Sequence, residues 1–569
     1  MSVNPVISKA RFDKAGSSGD DVQPSPDAGI LQPRRGKTGW FVNALGNFQR
    51  TCFWCAIAGL LIPLFSVHYF PSGDGPAHVL NASLLNRILF QHDAQLGTWY
   101  TLNPVVVPNW TGHLILMALV PLLSGPLAER VLIAIYVVSL PLAFRFMLRG
   151  LMRDTQGLEF LALPLVYNMH VYWGFYNFCL SLSIYLLLVG VFFRWSHAWT
   201  RARLISLAGL ALLLYLSHPL MFLFAVLTVT LVTLVRHRTR VSDGIAALWL
   251  PAIAFVPSAL LYLDYALFRS KRAESILAWP SLRYSASLLF TLAPLNVFGG
   301  PERYLTLGFA AFLFGLAGVR LWQLRKKWPA PELLCLTLVG ALSVFLMPVT
   351  ASGGTMITPR LVYLPVFALI AWLAVARIPA PWPGVILVLG MGIAAGIQLA
   401  RIPIYRNYDR ELTELIHSLA PRVHSGDQIA QGNGPAIGPI TNSGKKYVPD
   451  ISPNAIAFLG VDERAMILSN YEAEQDHFPL IFRPDRDPYV QFLQALSGPS
   501  RPPEASLSQV DAILFWCNSA GQGNCSTDQL GAAFQREKLA AGPSAARWFV
   551  RKTASARDQP GSLEAGDHH

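Results

Sequence analysis

Apolar residues run along this chain in blocks of about 15 to 20, separated by short polar stretches in which Lys and Arg recur. As α-helices, blocks of that length come close to the roughly 30 Å hydrocarbon core of a bilayer. Eleven can be drawn, over 51–70, 130–147, 158–172, 175–193, 203–217, 219–236, 246–266, 303–323, 331–351, 360–377 and 383–400. Two further runs, 107–123 and 284–299, are short for a crossing and are assigned as interfacial or re-entrant helices. Counting them as crossings would make thirteen. Beyond about residue 401 the apolar blocks stop and polar residues rise. There Asp511–Trp516 and Arg547–Arg551 read as strands and Asp528–Leu539 as a helix. The pattern predicts an all-α polytopic membrane bundle over 46–401, with a first outer loop over 71–129 and a small α/β domain over 402–553. Residues 1–45 and 554–569 have no apolar period and read as disordered tails.

Composition agrees. The chain is 53% hydrophobic and only 14% charged, against about 25% in soluble domains, and its mean hydropathy is +0.40. Its net charge of +12 does not point to nucleic acid, because the basic residues sit in short loops between the apolar blocks, as the positive-inside rule and anionic headgroups favour. Arg34, Arg35, Lys37 and Arg50 precede the first block, so the N-terminus is expected in the cytoplasm. Arg145, Arg149 and Arg153, then Arg194, Arg201 and Arg203, then Arg236, Arg238 and Arg240, then Arg325, Lys326 and Lys327 keep the alternation. The expectation is a multi-pass inner-membrane protein with its C-terminal domain outside. The blocks hold few acids, which argues against an ion-coupled pump. No phosphate-binding P-loop, HExxH, GxSxG or zinc-type Cys/His spacing occurs. Of six cysteines, Cys52 and Cys55 form an isolated C-x-x-C, Cys179 and Cys335 read as small apolar residues, and Cys517 and Cys525 suit a disulfide if their domain lies outside.

Candidate chemistry gathers on the outer side. Ser72-Gly73-Asp74-Gly75-Pro76-Ala77-His78 follows the first block. Gly-Asp-Gly-Pro is good turn chemistry by itself, but a carboxylate at the mouth of the bilayer can also take a proton from an attacking hydroxyl. If a helix starts at Pro76, His78 and Asn81 lie along one face with Asp74. Arg360 ends a Gly/Ser/Thr loop and opens a late block, where a guanidinium suits a phosphate. A snorkelling arginine is the ordinary alternative. His218, in Ser217-His218-Pro219, and Arg303 fall on the same side.

These elements resemble the GT-C superfamily of integral membrane glycosyltransferases, which includes protein mannosyltransferases and aminoarabinose transferases. Four features carry the resemblance: Gly73-Asp74-Gly75-Pro76 in the first outer loop, an outer turn at Tyr172–Asn177 between two blocks, the Arg-x-x-Tyr-x-Pro pattern of Arg360, Tyr363 and Pro365, and a soluble domain after the last block. It implies inverting transfer of a sugar from a polyprenyl-phosphate donor to an extracytoplasmic glycan, lipid or protein acceptor. Asp74 and His78 would be catalytic; Asn81, His218, Arg303, Arg360 and Tyr363 would bind substrate. Many such enzymes pair two acids at the first position. Here Gly75 follows Asp74 and no second acid comes before Asp93, which favours a lone base over a divalent-metal site. The rival classes are a transporter or flippase of a lipid-linked saccharide, which would want polar groups on both sides, and a non-catalytic part of an envelope polysaccharide system.

Overall fold

The computed structural model describes residues 37–152, 154–270, 277–325, 328–351, 354–433, 454–497, 504–516, 530, 533–542 and 546–552. The C-terminal tail, the N-terminal tail before Lys37, and the Cys517–Cys525 pair lie outside the described residues. Bundle, first loop and C-terminal domain all belong to one compact unit, Thr51–His569.

The helices are α1 (Lys37–Phe65), α2 (Gly75–Phe90), α3 (Trp110–Leu119), α4 (Gly125–Leu151), α5 (Tyr176–Trp195), α6 (Arg201–Ser217), α7 (Pro219–Arg236), α8 (Val241–Ser270), α9 (Leu282–Phe290), α10 (Pro301–Leu324), α11 (Pro331–Leu346), α12 (Ile357–Val375, with a break at Val362) and α13 (Trp382–Leu419). Among the described residues eight helices are long and apolar enough to cross a membrane: α1, α4, α5, α7, α8, α10, α12 and α13. Two more expected crossings are shorter, α6 with 17 residues and α11 with 16. The short runs 107–123 and 284–299 become α3 and α9, of 10 and 9 residues. At 1.5 Å per residue these reach only about 15 Å, half a bilayer core. Leu260, Trp249, Ile205 and Leu338 stand exposed on the outer faces of their helices, where a water-soluble protein would place polar groups.

The block at 158–172 is not a helix. It is a 3-10 turn (Leu158–Ala162) and two four-residue helical turns (Leu163–Val166 and Met169–Tyr172). It still runs the length of the bundle. Gln156 donates to Ala374 O at the last turn of α12, and His170 contacts Tyr363 at that helix's start. Gly157, at a φ of 78°, and Pro164 prevent a continuous ladder. Irregular backbone at this depth survives only where protein supplies its hydrogen bonds. Tyr136 donates to Val166 O, Arg401 to Tyr167 O and Asn168 to Leu165 O, and every residue from 155 to 172 is buried.

The C-terminal domain also departs from expectation. Helix α13 continues through residue 401 to Leu419, so bundle and domain share an element rather than a linker. Strands at Ala512–Trp516 and Ala546–Arg551 agree with the sequence, but Phe534–Glu537 is a third strand, not part of a helix, because it pairs antiparallel with Ala546–Arg551. With Gln428–Asn433 and Met466–Ile467 they make a mixed five-stranded sheet. The first loop is stitched to this domain: Tyr100–Leu102 pairs antiparallel with Leu480–Phe482.

Candidate active site

Asp74 stands at the N-cap position of α2, with Pro76 in the first turn. Its side chain makes no capping bond. The carboxylate turns instead toward the C-terminal domain, where Asn454 Nδ2 donates to Oδ1 at 3.4 Å and the Tyr471 hydroxyl donates a second bond. The backbone is held from the other side: Gly73 N and Asp74 N donate to Tyr172 O (2.8 Å) and Trp173 O (3.1 Å). Gly174 makes this possible. At a φ of 80° its hypothetical Cβ would sit 2.6 Å from Gly75 N and 2.8 Å from Asp74 N. Beneath the loop lies Glu129, fully buried at the start of α4, accepting from Ser72 Oγ and Tyr176 OH, each at 2.5 Å. Gly75 rests on that carboxyl with no room for a side chain.

A cavity of about 620 Å³ opens in front of Asp74. Its polar wall includes Asp74, His78, His218, Arg360, Tyr471 and His477; its apolar wall includes Phe175, Phe178, Leu220, Leu223 and Tyr262. Asp74 keeps part of its surface open to the cavity but lies deep in the fold. Burial pushes its carboxyl up to about 7, against the opposing pull of His78. Arg360 lies over the Phe175 ring at 4.4 Å and near Phe178 at 5.6 Å. Its Nη1 donates to His218 Nε2 at 3.1 Å, so His218 is neutral and holds its proton on Nδ1. Burial and the adjacent guanidinium both drive the His218 pKa well down. Among the described residues no carboxylate lies within ion-pair distance of Arg360, and its Nε is buried without a partner.

Asp74, His78, His218 and Arg360, singled out in the sequence, thus line one cavity. Asn81, Arg303 and Tyr363 do not. Asn81 is buried in a reciprocal amide pair with Asn470 (2.8 and 3.0 Å) and binds the C-terminal domain. Arg303 is exposed in the first turn of α10. Tyr363 faces His170 inside the bundle. Both ring nitrogens of His78 face protein groups: Nε2 donates to Gly174 O at 2.8 Å, and Nδ1 lies 2.5 Å from Glu472 Oε1. The ring therefore anchors α2 rather than facing the cavity with a free nitrogen. Burial works against its imidazolium, but Glu472 prevails and raises its pKa. His113 and His78 together overcome burial at Glu472 and pull it down to about 2. Sequence reasoning missed His113, Glu472, Tyr471, Asn454 and Glu129. His113 and Glu472 are 359 positions apart, and no local spacing signals such a contact.

No family model matches the chain, and no curated protein matches it. Among solved structures it is similar to ArnT from Cupriavidus metallidurans, determined bound to undecaprenyl phosphate. The identity is 10% and the TM-score 0.47, over 91% of this chain and 99% of that one.

Proposed function

We propose that this chain is a membrane glycosyltransferase that uses a polyprenyl-phosphate sugar, with Asp74 as general base and Arg360 as the phosphate-binding group. The observation that carries the reading is Arg360: a cation with no carboxylate partner among the described residues, opening into the same cavity as Asp74, whose side chain makes no capping bond to its helix. A phosphate oxygen would complete it with a charge-assisted hydrogen bond. The apolar wall suits a lipid tail beside that phosphate. Asp74, near neutrality in its pKa, suits removal of a proton from an acceptor hydroxyl. The hydroxyl oxygen then attacks the anomeric carbon, the carbon–oxygen bond to phosphate breaks, and Arg360 holds the departing lipid phosphate. Tyr471 and Asn454, hydrogen-bonded to Asp74, fix the carboxylate in place.

The test is transfer from a synthetic polyprenyl-phosphate sugar by the purified chain, beside binding of the polyprenyl phosphate alone. Asp74→Asn should abolish transfer and keep binding; Arg360→Ala should weaken binding. Unaltered transfer by Asp74→Asn would remove the base assignment. Binding and transbilayer movement of the lipid without transfer would make the protein a carrier.

A further inference from the structure

We infer that His78, His113 and Glu472 form a binding site for one divalent transition-metal ion of the zinc type, which fastens the C-terminal domain onto the first loop. The inference does not rest on glycosyl transfer. His78 comes from α2, His113 from α3 and Glu472 from the helical turn Tyr471–Glu474. Their ligand atoms lie within 4.8 Å of one another and all three residues are buried.

Hydrogen bonding fixes which nitrogens face inward. Carbonyls only accept, so His78 Nε2, 2.8 Å from Gly174 O, carries a proton, and so does His113 Nδ1, 2.8 Å from Asn109 O. The opposite nitrogens, His78 Nδ1 and His113 Nε2, lie 2.5 and 2.9 Å from the two oxygens of Glu472. Two lone pairs cannot meet a carboxylate at those distances. Either each contact holds a proton, or one cation serves both. When no ion is bound protons fill both contacts, His113 Nε2 donating to Glu472 Oε2 and the His78 ring pairing with Oε1; a bound cation takes the place of those protons. Metal-bound histidines almost always donate the far N–H to a carboxylate, a backbone carbonyl or water, and both rings here donate to a carbonyl.

The donor set selects the ion. Two imidazoles and a carboxylate suit zinc and its transition-metal neighbours, whereas magnesium and calcium prefer oxygen throughout. Bonds of about 2.0–2.2 Å in tetrahedral geometry put ligand atoms about 3.3 Å apart, so the observed contacts open by less than about 1 Å to admit it. With Glu472 so held, its neighbour Tyr471 is set against Asp74. The ion would be structural, one helical turn behind the proposed base.

Full-length protein in detergent would be stripped with a chelator, reloaded with zinc, desalted and assayed for metal. One zinc per chain is expected, with less than a tenth of that in His113→Ala and Glu472→Gln, and no displacement by excess magnesium. Zinc should raise the unfolding temperature of the wild type and of neither variant. Should the variants fail to fold, anomalous scattering at the zinc edge from wild-type crystals decides, with a peak expected among the three side chains. A wild type that retains no zinc, or a peak elsewhere, overturns the site. Neither readout uses a sugar donor, so loss of the transferase reading leaves this one standing.

Discussion

Replacing Gly174 by alanine tests whether the turn at Tyr172–Asn177 positions Asp74. The new methyl would lie 2.6 Å from Gly75 N, 2.8 Å from Asp74 N and 2.9 Å from Asp74 C. Carbon contacts prefer about 3.5–4.0 Å, so backbone on one side must yield by close to 1 Å. The residue also keeps a φ of 80°, which costs about 1–2 kcal/mol for any residue with a Cβ. The atoms in the way are Asp74's own backbone, so the displaced group is the proposed base. A misplacement of about 1 Å at a reacting group can cost about 10²-fold in rate. Gly174→Ala should therefore lower kcat for sugar transfer about 100-fold and reduce stability by about 1–2 kcal/mol. Binding of polyprenyl phosphate, which rests on the Arg360 guanidinium over Phe175 rather than on the Asp74 carboxylate, should fall less than kcat. The assay is single-turnover transfer with a synthetic donor, paired with thermal unfolding in detergent. Gly209→Ala is the control. That glycine lies within α6 with nothing inside 4 Å of its hypothetical Cβ, so alanine there should stabilise by about 0.5–1 kcal/mol and leave transfer intact. Full transfer activity in Gly174→Ala would refute the positioning argument, whatever its stability.

Other substitutions separate the remaining roles. Asp74→Asn should lower kcat by about 10²–10⁴-fold, or about 3–5 kcal/mol of barrier, with donor KM nearly unchanged in steady-state assays. Arg360→Ala should weaken polyprenyl-phosphate binding by about 10- to 100-fold, in line with about 1.5–3 kcal/mol for a hydrogen bond to a charged group, and Arg360→Lys should not restore it, because the planar group stacked on Phe175 is lost. This is read by titration of the lipid phosphate against protein fluorescence. Glu302→Gln should cost about 3–5 kcal/mol in denaturant unfolding, because it leaves the fully buried Arg401 without its carboxylate 2.5 Å away. Asn470→Ala should loosen the C-terminal domain from α2 and speed amide exchange in Gly75–Phe90, since Asn81 then loses both bonds of its amide pair.

The bundle was legible because a bilayer imposes one requirement, long apolar runs with charged ends, that composition cannot disguise. The same requirement hid the break at 158–172. A buried irregular crossing is as apolar as a helical one, and only Gly157, Pro164 and Asn168 marked it. Asp74, His218 and Arg360 could be found because each adjoins the end of an apolar block. Their gathering around one cavity could not, since it depends on how helices pack. Glu472 and Tyr471 were out of reach for a further reason. They sit in a four-residue turn of the C-terminal domain with no motif of its own, and their partners, His78, His113 and Asp74, lie more than 350 positions earlier. Phe534–Glu537 misled for the opposite reason: its local residues favour helix, and the neighbouring strand Ala546–Arg551 overrides them.

The amide pair of Asn81 and Asn470 joins residues 389 positions apart. Chains grow at about 5–20 residues per second, so the two arrive roughly 20–80 s apart during synthesis. Throughout that interval the bundle can insert and pack, but the carboxylate at residue 74 lacks Tyr471 and Asn454, and the cavity lacks one wall. A chain released early, short of its C-terminal domain, would carry every membrane helix and no finished site.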